Sequence, residues 1–167
     1  MIGQLQARPI PVEWDRATVF RQDVASGSVS TSAGVLSQRI QIQSNLRPRR
    51  VEILASAIDP QCNVEFRTAA NEGGDRIGNR SVTNYLSAIF AGSVPNWFRF
   101  IWGSAFPAPV LEPGDVWLTL IKVPLTNEID WSFGSVAGGT RFQDATRCAY
   151  IGAVAQSDDD FAFRIFP

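Results

Sequence analysis

The sequence predicts an all-β fold with the two layers of a β-sandwich, and three observations support this prediction. Hydrophobic residues make up 45% of the 167 residues and charged residues 19%, which is the balance of a globular chain. The 13 Gly and 10 Pro suit many short strands joined by turns. Several segments alternate apolar with polar side chains, which is the period of a half-buried strand.

Residues 1 to 34 are predicted to lie outside the folded body. Residues 1 to 18 lack helical or strand periodicity and contain two prolines, which favours an extended arm. The run ASGSVSTSAG at 25 to 34 is small and polar, which favours a loop or a flexible hinge. We therefore predict an arm and hinge over 1–34 and one sandwich domain over 35–167.

The predicted arm carries apolar side chains that need a partner surface, among them Leu5, Ile10 and Trp14. Pro9 and Pro11 restrict the free arm and so lower the entropy that is lost when it docks. We therefore expect these side chains to mediate contact with another subunit. Trp14 is the expected aromatic anchor, since Trp is enriched at interface hot spots.

Three strands are predicted in the first half of the body. Residues 36 to 43 place Leu36, Ile40 and Ile42 on one side of a half-buried strand. Residues 50 to 58 are more continuously apolar, and residues 63 to 68 alternate again. A turn at Asp59-Pro60-Gln61 separates the latter two segments, so we expect them to be antiparallel neighbours.

In the second half, residues 71 to 80 have the composition of a turn, and residues 83 to 92 fit a short helix or a strand equally well. Residues 97 to 102 predict a strand that is buried on at least one face. Glu112-Pro113-Gly114-Asp115 has Pro and Gly at the second and third positions of a type II turn. The apolar run 116 to 123 follows it, which predicts a central strand covered on both faces.

The segment 161 to 166 predicts a closing strand. Phe161, Phe163 and Ile165 alternate with Ala162, Arg164 and Phe166. Each of these large apolar side chains left in water would cost roughly 1.5–3 kcal/mol, so we expect Phe161, Phe163 and Ile165 to face the core. The preceding acids Asp158 to Asp160 are expected to form a solvated entrance to this strand that protects its edge, rather than a calcium site.

Five motifs occur in a characteristic order between Leu36 and Phe166: LSQRIQIQ, NEGGDRIG, LEPGDVWLTL, DWSFGSVAGG and DDFAFRIF. This order resembles that of the jelly-roll β-sandwich modules of phage head and tail appendages and some bacterial surface proteins, which are similar to galactose-binding-like domains. The resemblance implies a jelly-roll sandwich that acts in binding or structure, not in catalysis.

From this resemblance we expect a structural component of a tailed-phage or phage-like particle, a head or tail appendage or decoration protein that acts in assembly and surface display. Its expected location is the virion after assembly in the host cytoplasm, and its expected partners are copies of itself and other particle proteins. The alternative is a carbohydrate-binding or receptor-binding adhesin module that recognises a cell-surface glycan.

The composition argues against most enzyme classes. The chain has no histidine, which excludes Ser-His-Asp and Cys-His nucleophile systems and the usual zinc sites. A pair of carboxylates could cleave glycosides, and Glu128, Asp130 and Asp144 are the nominal candidates. Since 16 acids supply such pairs by chance, we predict no catalytic residue, no metal and no cofactor.

The tryptophans are the side chains that best suit a sugar-binding surface. Those within predicted strands are expected in the core: Trp97, Trp102 and Trp117. Trp131 lies in the polar run NEIDWSFG beside Asp130, so we expect it to be exposed. Trp131, Asp130 and Tyr85 are therefore the candidate ligand-binding residues.

Other partners are not expected. The formal net charge is −1, and the only dense basic run, residues 47 to 50, is too short to follow a nucleic-acid backbone. No segment approaches the roughly 20 apolar residues of a membrane span, and no signal peptide is evident. Cys62 and Cys148 form no metal-binding motif and are expected to be buried thiols, with their pairing left open.

Overall fold

The computed structural model describes residues 20–22, 27–33, 35–57, 61–70, 74–82, 84–85, 95–122, 129–135, 149–156 and 159–167. These residues form 14 strands and one turn of 3-10 helix at Thr31–Ala33, with no α-helix among them. The all-β prediction is confirmed. The strands are β1 (Phe20–Gln22), β2 (Gly27–Ser30), β3 (Leu36–Ile42), β4 (Arg50–Ala57), β5 (Gln61–Arg67), β6 (Arg76–Ile77), β7 (Asn84–Tyr85), β8 (Asn96–Ile101), β9 (Gly114–Lys122), β10 (Ile129–Ser135), β11 (Ala149–Ile151), β12 (Val154–Gln156), β13 (Asp159–Phe161) and β14 (Phe163–Phe166).

The strands form two antiparallel sheets around one core, as in a β-sandwich. The first sheet has the order β1-β14-β4-β10-β13, with β2 against β10 and β8 against β4. The second has the order β12-β11-β3-β9-β5-β6, with β7 against β5. A single cluster of buried side chains draws on both sheets and includes Phe100 and Phe163 of the first and Leu118 and Phe66 of the second.

The central position predicted for residues 116 to 123 is confirmed by β9. This strand lies between β3 and β5, and its Leu120 is opposite Leu36 on one side and Val64 on the other. The chain enters the strand at Gly114, whose φ of +138° lies in a region that glycine adopts most easily. The Pro-Gly turn thus positions the strand that joins the two halves of the second sheet.

The segment 159 to 166 completes the first sheet, and Phe161, Phe163 and Ile165 are fully buried, as predicted. It consists of two strands with different neighbours: β13 pairs with β10, and β14 lies between β4 and β1. At the junction, the amide of Ala162 donates to Ser132 of β10 over 2.8 Å, and its carbonyl accepts from Leu54 of β4 over 3.1 Å. The segment therefore lies between β4 and β10 where these strands separate.

The expected pairing of the segments 50–58 and 63–68 is wrong. Arg50–Ala57 belongs to the first sheet, where it pairs with β8, β10 and β14. Gln61–Arg67 belongs to the second sheet, where it pairs with β9, β6 and β7. Each strand has its own buried apolar side chains. These side chains pack into the core from opposite sheets, so the two strands are not neighbours in one sheet.

The loop or hinge predicted at 25 to 34 is wrong for residues 27 to 30, which form β2 against β10. Close packing explains the glycine at position 27, since a Cβ there would lie 2.8 Å from Cζ of Phe133. Phe20–Gln22 also pairs with β14, so the first sheet includes residues before position 35. The predicted arm at 1 to 18 lies outside the described residues.

The strand predicted at 36 to 43 is confirmed as Leu36–Ile42, but its first half is buried on both faces. The hydroxyl of Ser37 contacts that of Thr119 at 3.1 Å. The side chain of Gln38 accepts a 2.7 Å hydrogen bond from the amide of Phe161 and donates to Asp160 over 3.2 Å. Asp160 is buried, so the solvated entrance expected for Asp158 to Asp160 is wrong at this residue. Asp159 is partly exposed, and Asp158 lies outside the described residues.

Candidate binding face on the first sheet

Alternation along β4, β8 and β14 divides their side chains between the core and the opposite side of the sheet. Val51, Ile53, Phe100 and Phe163 face the core. The pairing register brings the remaining side chains together on the outer side. We call this surface the arginine-aromatic face and define it by Arg50, Glu52, Trp97, Arg99, Arg164 and Phe166.

Glu52 is the centre of this face. Its carboxylate lies 3.3 Å from Nε of Arg50, 3.5 Å from Nε of Arg99 and 3.6 Å from Nη1 of Arg164. Only 11% of its side chain is exposed. Three arginines surround a single carboxylate, so the face carries a formal charge of +2.

Two of the arginines lie flat on aromatic rings. Cζ of Arg50 is 3.7 Å from the ring centroid of Phe166, and Cζ of Arg164 is 3.8 Å from that of Trp97. Each such contact contributes roughly 0.5–2 kcal/mol. The rings and the shared carboxylate restrict both guanidinium groups, so binding here would cost little side-chain entropy. Arg99 is 65% exposed, more than either of the other two arginines.

The chemistry of this face suits contact with another protein. Arginine and aromatic side chains are enriched at interfaces and dominate their hot spots. In the described part of the chain, no group of three or more Asp, Glu, Cys or His side chains could hold a metal ion. The described segments also contain no helix that is long and apolar enough to cross a membrane.

The exposure predicted for Trp131 is wrong. Its side chain is fully buried, its Nε1 donates to the carbonyl of Ala162 over 2.9 Å, and its ring stacks on Phe161 with centroids 4.4 Å apart. Asp130 occupies the adjacent position of β10 and is partly exposed. Successive residues of a strand point to opposite sides, so Trp131 and Asp130 do not converge on a ligand.

Replacing Trp131 with Phe is expected to destabilise the fold by about 1–3 kcal/mol, because the smaller ring leaves a cavity and loses the hydrogen bond to Ala162. Trp97→Phe is the matched control, since Trp97 is only partly buried on the outer side of the sheet. Its expected effect is below about 1 kcal/mol. Denaturant unfolding of both variants gives the comparison, and equal losses would contradict the buried role of Trp131.

The other predicted site residues are described only in part. The backbone of Tyr85 pairs with Gln61, but its side chain lies outside the description. Leu5, Ile10 and Trp14 lie outside the described residues, as do Glu128 and Asp144. The core position predicted for Trp97 is wrong, since it belongs to the arginine-aromatic face.

The other two tryptophans assigned to the core are also only partly buried. Trp102 packs against the core by stacking on Phe66 with centroids 6.2 Å apart. Trp117 makes an edge contact with Tyr150 at 6.1 Å.

Cys62 is a buried free thiol, as expected, and burial raises its pKa to about 12. A thiol with such a pKa remains protonated and unreactive near neutral pH. Cys148 lies outside the described residues, so its predicted burial is untested.

Sequence reasoning missed the arginine-aromatic face because the face exists only after three distant strands pair. A signal is present in each strand, since alternate positions are Arg and Glu in RVEIL, Trp and Arg in NWFRF, and Arg and Phe in FRIF. Only the register shows that these positions share one side of one sheet.

Comparison of the chain with protein-family models, curated proteins and solved structures gives no match, so no family is recognised.

Proposed function

We propose that this chain is a structural component of a tailed-phage or phage-like particle, a jelly-roll sandwich with an N-terminal arm that acts in assembly and surface display. The observation that carries the assembly role is the arginine-aromatic face. The assignment to a particle rests on the resemblance of the ordered motifs to phage appendage modules. The partners are other copies of the chain and other particle proteins.

Charge supports a particular mode of assembly. The face has a formal charge of +2 while the whole chain has −1, so the rest of the chain has −3. Contact of the face with its own copy would bring like charges together, which is costly at an interface. In this proposal the face therefore contacts a different surface of the next subunit and not its own copy. Such head-to-tail contacts generate rings when the rotation closes.

Reversing the most exposed charge of the face tests this role. Arg99→Glu is expected to weaken self-association at least about tenfold, because the loss of complementary charge at an interface costs over 1.4 kcal/mol. Arg47→Glu is the matched control, since Arg47 is an exposed arginine that does not belong to the face. Native mass spectrometry and sedimentation give the subunit number of each protein. A monomeric wild type, or equal association of all three proteins, would refute the proposal.

Deleting residues 1 to 15 tests the contribution of the arm, including Leu5, Ile10 and Trp14, in the same assay. A shortened chain that melts like the full chain but no longer associates supports the arm as an assembly element. If the shortened chain associates with the same affinity as the full chain, the arm does not contribute and assembly depends on the arginine-aromatic face alone.

A further inference from the structure

A cleft opens where the chain that follows β6 meets the turn after β8. Its volume is about 270 Å³. It is lined by Arg76, Asn79, Arg80, Ser81 and Phe106. None of these residues belongs to the arginine-aromatic face, so the cleft is a separate surface whose chemistry the assembly role does not use.

The two walls of the cleft are held together by hydrogen bonds and close packing. Nδ2 of Asn79 donates to the carbonyl of Pro107 over 3.1 Å, and Nε1 of Trp102 donates to the carbonyl of Asn79 over 2.9 Å. Gly78 has a φ of +66°, and a Cβ at this position would lie 2.8 Å from Cβ of Pro109. The wall positions are therefore set before any ligand arrives, which lowers the cost of binding.

A buried carboxylate positions one of the arginines. Glu65 is fully buried, and its Oε2 accepts a 2.6 Å hydrogen bond from Nε of Arg80. Its Oε1 is bound by Arg67, whose Nη1 also donates to the carbonyl of Gly74 over 2.9 Å. The contact with Glu65 uses one of the five N–H donors of Arg80, and the side chain remains 43% exposed in the wall of the cleft.

The local charge favours an anion. Glu65 neutralises only one of the two arginines that bind it, and the exposed Arg76 adds a further positive charge to the cleft. A guanidinium group presents its donors in a planar fork that matches the two oxygens of a carboxylate. An anionic group held by Arg80 and Arg76 therefore suits this cleft, and a carboxylate is one group that matches the fork.

Phe106 gives the cleft an apolar side. Its side chain is 63% exposed although it lines the cleft, and its amide donates to the carbonyl of Gly103 over 3.2 Å across a tight turn. An exposed aromatic ring beside polar groups can stack on the apolar face of a sugar ring. Asn79 adds a polar side chain of the kind that binds hydroxyl groups. Ser81 is buried, and its Oγ accepts a 2.9 Å hydrogen bond from the amide of Val64.

We propose that this cleft binds a sugar ring that carries a carboxylate, such as the uronic acid unit of an acidic glycan. Arg80 and Arg76 bind the carboxylate, Phe106 stacks on the ring, and Asn79 contacts its hydroxyl groups. The volume lies below the roughly 300–1,000 Å³ of pockets for drug-sized ligands, which suits one sugar unit of a longer chain. This binding role is additional to assembly and does not depend on it.

Titration of the full chain with three small probes separates the contributions, and inorganic phosphate serves as a further anion control. Glucuronate has both the ring and the carboxylate, glucose lacks the carboxylate, and acetate lacks the ring. Amide chemical shifts of residues 76 to 82 and 103 to 106 report binding. Glucuronate is expected to bind at least about tenfold more tightly than either other probe, a difference of 1.4 kcal/mol. Equal binding of acetate or inorganic phosphate would show a simple anion site and overturn the proposal, as would the absence of glucuronate binding.

Matched variants locate the site. Phe106→Ala and Arg76→Gln are each expected to weaken glucuronate binding at least about tenfold. Val154→Ala is the control for the first, since Val154 is an apolar side chain of similar exposure, 64%, on β12. Arg47→Gln is the control for the second. Equal binding by all four variants would place the glucuronate elsewhere and overturn the assignment. This outcome is independent of the assembly role, which Arg99→Glu tests separately.

Discussion

Deletion of residues 161 to 167 is expected to abolish the cooperative folding of the chain. The deletion removes three fully buried side chains, Phe161, Phe163 and Ile165. Truncating each to Ala would cost about 2–5 kcal/mol, and the total approaches or exceeds the roughly 5–15 kcal/mol of a typical domain. It also removes β14, which pairs with both β4 and β1. Near-ultraviolet circular dichroism and thermal melting of the shortened chain measure the loss.

Two further variants make the interpretation specific. Removing only the exposed Pro167 should leave the melting temperature unchanged. Phe163→Ala should cost about 3–5 kcal/mol, since Phe163 is fully buried, whereas Phe166→Ala on the outer side should cost less. A chain that lacks residues 161 to 167 and still melts at the full-length temperature would contradict the role of this segment in the first sheet.

Replacing Glu65 with Gln is expected to destabilise the fold by about 3–5 kcal/mol, which is typical when one partner of a buried ion pair is lost. The carboxylate is fully buried and binds both Arg67 and Arg80. The side-chain oxygen of glutamine can accept a hydrogen bond from one arginine, but its amide NH2 then faces the other arginine. Both of these groups are hydrogen-bond donors, so no hydrogen bond forms between them. Arg67 then keeps a charge that is only 11% exposed and has lost an anion.

Asp115→Asn is the matched control for Glu65→Gln. Asp115 also pairs with an arginine of the second sheet, Arg39, and the contact raises the pKa of that arginine. This pair lies near the surface, where such contacts contribute at most about 1 kcal/mol. Denaturant unfolding of both variants gives the two losses. A loss at Glu65 no larger than that at Asp115 would show that the buried carboxylate does not stabilise the cleft wall.

The sequence predicted strands well where a local pattern determines them. The alternation at 36 to 43 and at 161 to 166 and the apolar run after Gly114 depend only on neighbouring residues, and each forms a strand. Strand partners depend on contacts between distant residues. The turn composition at Asp59-Pro60-Gln61 therefore suggested a hairpin, although β4 and β5 belong to different sheets.

The candidate sites were harder to predict for the same reason. Trp131 lies among polar residues in the sequence, but in a strand its neighbours point to the other side, so a polar run does not imply an exposed ring. The cleft depends on Arg80 and Phe106, which lie 26 positions apart and meet through the turns at Gly78 and Gly103. No periodic pattern marks either residue, so only the folded chain identifies this pair.

The pairing of β1 with β14 has a consequence for the time at which this sheet can form during protein synthesis. Phe20 pairs with Ile165, roughly 145 residues later in the chain. A ribosome that adds roughly 5–20 residues per second needs on the order of 10 s to make that stretch. Throughout this interval β14 cannot occupy its place beside β4. Nascent chains on neighbouring ribosomes therefore carry an open strand edge, and such an edge can pair with another chain before its own partner has been made.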